Sequence, residues 1–331
     1  MERIKSALTK DMHQTRLFGA FALVLILMAI FSPDKFYTVR NFQSMASQFP
    51  ELGFLTIAAA LVLMTGGIDL SVCGTAVLSG IVAARILVAN GGPDAGVGAV
   101  VMAVAIALLV GLVCGILNAI LVARFGIAPM LATLGTYNLY VGLGIVITEG
   151  SAISNFPAAF LAIGNGKVFG IPVPALLFVV AIAVLGWFLG KTKLGYKLFV
   201  FGTNSTASYY SGINNTKVLF TTYVVGGIVC SLAGIIMFSR TNSAKADFGS
   251  SYGLQALLVA LLGGVGASGG SGRASGLLLS IITLQFISSG FNLLHVSSFM
   301  KDLIWGALLV LIMVLNVVDF KKLKKSKKAA A

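Results

Sequence analysis

The run VGAVVMAVAIALLVGLVCGILNAILVA, from Val97 to Ala123, holds 27 residues without a charged side chain. About 20 apolar residues let a helix cross the hydrocarbon core of a bilayer, so this run predicts a membrane span. A second run, Val218–Ser239, is uncharged over 22 residues. The chain has 331 residues, 58% of them hydrophobic and 10% charged. That is more apolar surface than a water-soluble fold conceals. The fold class expected is all-α, a polytopic membrane protein.

Hydropathy and punctuation predict about ten transmembrane helices, at 17–32, 44–66, 70–89, 96–123, 127–148, 172–190, 216–239, 253–265, 274–294 and 301–318. The basic start followed by Leu17–Phe31 resembles a signal peptide. Ser32-Pro-Asp-Lys-Phe36 follows without a small-residue cleavage pattern, so a retained first helix is expected. Basic residues concentrate on the cytoplasmic side of membrane proteins. With ten spans and both termini cytoplasmic, sixteen of the 23 basic residues fall inside, including Arg124, Lys191, Lys193, Lys197, Lys217, Arg273 and six tail lysines. Seven fall outside: Lys35, Arg40, Arg85, Lys167, Arg240, Lys245 and Lys301. The organisation expected is a cytoplasmic segment 1–16, a transmembrane domain 17–319 and a basic cytoplasmic tail 320–331. The net charge of +13 sits largely in these flanks, which argues for membrane orientation and against a nucleic-acid partner.

Between two apolar blocks lies a polar island, Gly202-Thr-Asn-Ser-Thr-Ala-Ser-Tyr-Tyr-Ser-Gly-Ile213, preceded by Lys191, Lys193 and Lys197 and followed by Lys217. It is long enough for two or three helical turns, and its basic flanks place it in the cytoplasm. A short helix there is a candidate docking site for a partner chain.

Several motifs are decoys. Gly186-Trp-Phe-Leu-Gly190-Lys-Thr192 has one residue too few between its glycines for a phosphate loop and ends an apolar span. Gly264-Val-Gly266-Ala-Ser-Gly269 fits a dinucleotide fingerprint but lacks a βαβ setting. ATP, if used, binds another chain. His13 and His295 are too far apart to suggest a metal site or catalysis, and no nucleophile with its base can be assembled, so no enzyme and no cofactor is expected. Cys73, Cys114 and Cys230 read as small buried apolar residues. The glycosylation triplets at Asn204 and Asn214 fall on the side expected to be cytoplasmic and are discounted. Gly111 and Gly115 form a GxxxG pair, read as close packing within the bundle rather than a subunit contact.

The polar candidates at membrane depth are fewer. Asp69 and Glu51 are the acidic residues nearest that depth, where ionisable groups face a cavity or pair with one another. In Gly66-Gly-Ile-Asp-Leu-Ser71, either Asp69 and Ser71 border a translocation route or its inner gate, or Asp69 merely caps the following helix. Asn118 contacts a polar substrate or bonds to a neighbouring helix. Thr133, Thr136, Tyr137 and Asn138 form a second polar group. Arg85 and Arg273 are read as snorkelling to interfaces. An internal echo pairs Leu61–Ser71 with Leu258–Ser268, five identities in eleven positions.

Gly66-Gly-Ile-Asp-Leu-Ser71, Gly115-Ile-Leu-Asn118, Pro129-Met-Leu-Ala-Thr-Leu-Gly135, Gly202-Thr-Asn204, Ala207, Ser211-Gly-Ile213 and the pairs Gly263-Gly264 and Gly269-Gly270 occur in one particular order. Over residues 41–318 the chain thereby resembles the ribose-type ABC importer permeases, membrane subunits of bacterial carbohydrate importers. Relatives of that family carry autoinducer-2 and, further off, nucleosides and branched-chain amino acids. The resemblance implies a ten-helix permease of the bacterial inner membrane, a second permease copy or paralogue, a cytoplasmic ABC ATPase and a periplasmic substrate-binding protein. The island then looks like the coupling helix, with Asn204, Ala207, Gly212 and Ile213 carrying the coupling and Tyr209 and Tyr210 adding contact surface. Asp69, Ser71, Asn118, Thr133 and Asn138 are the pathway candidates. The chain departs from the family at Ser205, Thr206 and Ser208, where acidic residues and alanine are usual, so docking by shape rather than charge is expected. The expected function is import of a monosaccharide or related small polar solute. The rivals are an ion-coupled secondary transporter and a non-transporting scaffold.

Overall fold

A chain bathed in lipid has to pair its backbone N–H and C=O groups within its own segments, which leaves helices as the means of crossing. The computed structural model describes residues 12–317 and is helical along most of that length. Apart from the single turns Pro33–Phe36 and Gly92–Asp94, the helices in order are α1 (Met12–Phe31), α2 (Val39–Met64), α3 (Val72–Ala89), α4 (Val97–Ala119), α5 (Pro129–Thr148), α6 (Ala158–Asn165), α7 (Val173–Lys191), α8 (Lys193–Thr203), α9 (Ser205–Tyr210), α10 (Asn215–Thr241), α11 (Tyr252–Leu262), α12 (Ala274–Leu293) and α13 (Ser298–Val317). A wider turn over Ile120–Arg124 prolongs α4. The strands β1 (Ile153–Ser154) and β4 (Ser243–Ala244) pair antiparallel, as do β2 (Lys167–Val168) and β3 (Ile171–Pro172).

Among the described residues seven helices are long and apolar enough to cross a membrane: α2, α3, α4 with its extension, α5, α7, α10 and α12. They stand at seven of the ten expected positions. The other three hold α1, whose apolar part is Leu17–Phe31, the short α11, and α13. With 11 residues, α11 is about 16 Å long at 1.5 Å per residue, roughly half the hydrocarbon thickness. It does not cross alone. Helix α1 starts within the segment expected to precede the first span. Arg3, Lys5, Lys10 and the tail lysines of 320–331 lie outside the described residues.

Helix α10 is the hub, packed against α2, α3 and α4. Its approach to α4 is glycine-mediated: a Cβ on Gly111 or Gly227 would strike the other glycine's carbonyl oxygen, and one on Gly115 would strike the Tyr223 carbonyl. The GxxxG pair therefore serves packing inside the bundle. Cys73, Cys114 and Cys230 are buried in the same interior. Between α2 and α10, Arg240 donates from Nε and Nη2 to the two carboxylate oxygens of Glu51, which is 1% exposed. Glu51 thus takes the paired option that its depth required. Arg85 instead donates to the Ile147 carbonyl and faces Glu149 at 3.9 Å.

The two echoing segments end their helices alike. Gly66 N–H donates to Leu63 and Gly67 N–H to Val62; Gly264 N–H donates to Leu261 and Val265 N–H to Ala260. This is the same double-bonded helix ending in both places, and its geometry pairs Gly66 with Gly264, one position off the sequence echo. Both decoy motifs are structural: Gly186 and Gly190 lie inside α7, and Gly264–Gly269 forms the turn after α11.

Candidate functional site

The island is built by caps. Thr192 Oγ accepts the Gly195 N–H at 3.0 Å and starts α8. The chain then turns extended at Asn204, whose Oδ1 accepts the Ala207 N–H at 2.9 Å and starts α9. This cap explains why the expected two or three turns are shorter: Asn204 breaks the stretch, leaving a six-residue helix. At its other end Gly212 adopts φ 76°, a left-handed conformation that side chains resist. That lets Gly212 N–H reach Tyr209 and Ile213 N–H reach Ser208. Ile213 follows into the apolar core.

Helix α9 also hangs from α10. Ser208 is fully buried and its hydroxyl donates to Asn215 Oδ1 at 2.7 Å, while Asn215 Nδ2 donates to the Ser205 carbonyl at 2.8 Å. Asn215 is a positioning residue that the sequence did not single out; its only signal is the Asn214-Asn215 pair, whose first member caps α10 by accepting the Lys217 N–H. The outward face carries Tyr209 and Tyr210, 69% and 82% exposed, edge to face with centroids 5.7 Å apart. Ala207 is exposed beside them.

At the root of α9 three segments meet backbone to backbone. Gly270 N–H donates to the Met64 carbonyl, the last of α2, at 2.8 Å. Gly202 sits against both, so that a Cβ on it would overlap the Met64 oxygen and lie 2.5 Å from the Gly270 nitrogen. A Cβ on Gly269 would likewise lie 2.6 Å from the Gly66 nitrogen and 2.8 Å from the Gly202 oxygen.

From this junction the chain runs through Gly67 and Ile68 into a buried polar cluster. Asp69 Oδ1 accepts the Ser71 N–H at 2.8 Å and the Ser71 hydroxyl at 2.6 Å. Ser71 Oγ accepts Asn118 Nδ2 at 2.7 Å, and Asn118 Oδ1 accepts the Thr136 hydroxyl at 2.7 Å. The donors point one way, from α5 through α4 to the carboxylate at the start of α3, an arrangement in which each bond polarises the next. Thr133 Oγ accepts the Leu70 N–H at 3.1 Å and holds the loop to α5. Four of the five pathway candidates, Asp69, Ser71, Asn118 and Thr133, are thus one cluster. Asn138 is not part of it: it is exposed on another face of α5 and donates to the Leu134 carbonyl. Asp69 accepts from Ser71, the residue before α3, and from no N–H of that helix, while Asn118 does bond between helices.

Tyr223 on α10 is the polar residue whose place the sequence did not suggest. Its ring packs with Val62, Ala119, Val122 and Ala132, and its buried hydroxyl has no hydrogen-bond partner among the described residues.

A family model described as "Branched-chain amino acid transport system / permease component" matches residues 41–313. The ribose import permease protein of Bacillus subtilis (strain 168) is 37% identical over 306 residues, covering 92% of this chain and 91% of its own length. The ribose import permease protein of Haemophilus influenzae is 32% identical, covering 94% and 95%. The D-allose transport system permease protein of Escherichia coli (strain K12) is 29% identical, covering 88% and 89%. No solved structure matches the chain. The match runs through every segment assembled above, from the Asp69 loop to the capped α9 and the 263–270 turn, and the chain belongs to this permease family, that of the ribose-type ABC importers.

Proposed function

We propose that this chain is the membrane subunit of an ATP-driven importer for a monosaccharide or a related small polar solute, in the bacterial inner membrane. The chain crosses ten times with both termini in the cytoplasm. A separate ABC ATPase hydrolyses ATP, a periplasmic binding protein delivers solute, and a second permease copy or paralogue completes the pathway. The observation that carries this reading is α9: a capped, side-chain-anchored helix that presents Tyr209 and Tyr210 outward and roots in the end of α2. Its residues Ser205–Tyr210 include no charge, which favours an apolar, shape-fitted dock in the ATPase.

The mechanism follows from the junction. When the ATPase dimer closes, it displaces α9. Gly202 abuts the Met64 carbonyl with no side chain between, so the displacement passes to the end of α2 and then to the Asp69 loop. The Asp69–Ser71–Asn118–Thr136 chain joins α3, α4 and α5, and rearranging it separates or rejoins them around the route. Turning such a bundle from 1:99 to 99:1 between two states takes about 5.5 kcal/mol of differential binding, which nucleotide and binding protein supply together.

The test replaces Gly212 with arginine. A side chain at φ 76° is strained and the charge disturbs an uncharged face, so the ATPase fails to co-purify while the chain still inserts in the membrane. Normal assembly and uptake in that variant would defeat the coupling role of α9. Uptake that survives ATP depletion but collapses with the ion gradient would instead favour an ion-coupled transporter using Asp69.

A further inference from the structure

Helices α7 and α10 both pack on α2 and leave a cleft of about 550 Å³ between them, within the roughly 300–1,000 Å³ of ordinary ligand sites. Its floor is Phe54, Ile57 and Leu61 of α2. One wall is the α7 row Leu177, Ala181, Val184 and Phe188; the other is the α10 row Val225, Val229, Leu232 and Ile236. Apart from the indole N–H of Trp187, the lining side chains are aliphatic or phenyl. From Leu177 to Phe188 the wall spans about 16 Å at 1.5 Å per residue, close to half of the ~30 Å hydrocarbon core. That is the depth of one leaflet.

Both walls end in a lysine at the α9 end of the bundle. Lys191 lies three and four residues beyond Phe188 and Trp187, hence on the same face of α7. Lys217 lies four before Thr221, which lines the narrow continuation of the cleft with Leu194 and Leu198 of α8. Thr221 Oγ donates to the Lys217 carbonyl at 2.8 Å, fixing that register. Lys191 and Lys217 are both exposed. Trp187, 63% exposed at the mouth, is the residue type that settles at headgroup level.

We propose that this cleft is a binding site for an anionic phospholipid, with an acyl chain along α7 and α10 and the phosphate between Lys191 and Lys217. A hydrocarbon slot one leaflet deep with a cationic rim matches the two parts of such a molecule. A bare apolar groove would accept any chain; a lysine at the end of each wall selects the headgroup. The lipid then belongs to the cytoplasmic leaflet, which rests on the orientation proposed above, whereas the headgroup preference does not and is measured without it.

The chain has two tryptophans, Trp187 and Trp305, and Trp305 is buried. Purified full-length protein carrying Trp305→Phe therefore reports on the cleft through Trp187. It is titrated in detergent with phosphatidylglycerol or phosphatidylcholine bearing brominated acyl chains, which quench tryptophan. Half-quenching is expected at a phosphatidylglycerol concentration at least tenfold below that for phosphatidylcholine. Each of Lys191→Gln and Lys217→Gln should erode the preference about fivefold, the equivalent of ~1 kcal/mol per basic residue near an anionic lipid. Ala181→Phe and Val229→Phe should weaken quenching by both lipids by filling the slot. Equal titration by the two lipids in the unsubstituted cleft would mean ordinary annular lipid and overturn the proposal. Absence of quenching together with Trp187 cross-linking to a second copy would assign the cleft to a protein partner and overturn it too. The lipid comparison needs neither the lysine nor the cleft-filling variants, so their failure to fold would not spare it.

Discussion

Substituting alanine for Gly202 adds one methyl group at the point where three backbones touch. The new carbon overlaps the Met64 carbonyl oxygen and sits 2.5 Å from the Gly270 nitrogen, and those two atoms are bonded to each other at 2.8 Å. No side chain stands there to rotate away, so the end of α2, the root of α9 and the 266–272 turn must part. Losing a backbone hydrogen bond costs about 1 kcal/mol net, and forcing a methyl group into packed surroundings costs about 1–3 kcal/mol. Against this, alanine is the better helix former by roughly 0.5–1 kcal/mol, and Gly202 lies within α8. The net expectation is a loss of about 1–3 kcal/mol. Gly135→Ala is the matched control, since nothing lies within 4 Å of a Cβ there and α5 should gain the helix-propensity term alone. Thermal unfolding in detergent should lower the midpoint of the Gly202 variant and raise that of the control. In proteoliposomes with ATPase and binding protein, Gly202→Ala should still hydrolyse ATP while solute uptake falls about tenfold, since 1.4 kcal/mol of bias between two states is a factor of ten. If both variants unfold alike and transport alike, the junction does not transmit motion and the route from α9 to Asp69 is wrong.

Two further outcomes concern the interior. Removing one member of the Glu51–Arg240 pair, by Glu51→Leu or Arg240→Met, leaves the other without its partner and should cost about 3–5 kcal/mol; the two substitutions together should recover most of it, read as the yield of monodisperse protein and its unfolding midpoint. Tyr223→Phe removes a buried hydroxyl that has no partner among the described residues and should be neutral or stabilising by about 1 kcal/mol. A loss of midpoint in that variant would mean that the hydroxyl is engaged in the working protein.

The long uncharged runs made seven of the expected spans legible, because hydropathy over 20 residues reports directly on the cost of placing a helix in lipid. Helix α11 stands where the eighth span was expected, but its extent was not legible: its apolar sequence merges with glycines on both sides, and composition does not show where a helix stops. Glu51 was readable as needing a partner, but Arg240, 189 positions away, was not identifiable, since ion pairing across a bundle leaves no local signal. The polar cluster was readable as residue types and unreadable as a network. Asp69, Ser71, Asn118 and Thr133 converge because glycine contacts bring α4 against α10 and because the Gly66 ending redirects the chain into α3. Asn138 has the same chemistry and lies one helical face away.

The island shows most sharply what a motif encodes. Its matching positions are geometric: Gly202 allows backbone contact, Asn204 caps α9, Gly212 supplies the left-handed turn, and Ile213 anchors the exit in the core. Ser205, Thr206 and Ser208 are the positions where the sequence reading expected a departure from the resemblance. Of these Ser205 and Thr206 are exposed, and Ser208 is buried and bonded to Asn215. The serine at 208 therefore does structural duty that an alanine could not. The bonds that shape α9 run through Asn204, Ser208, Gly212 and Asn215, so the exposed face of Ser205, Thr206, Tyr209 and Tyr210 can vary in chemistry without altering the helix.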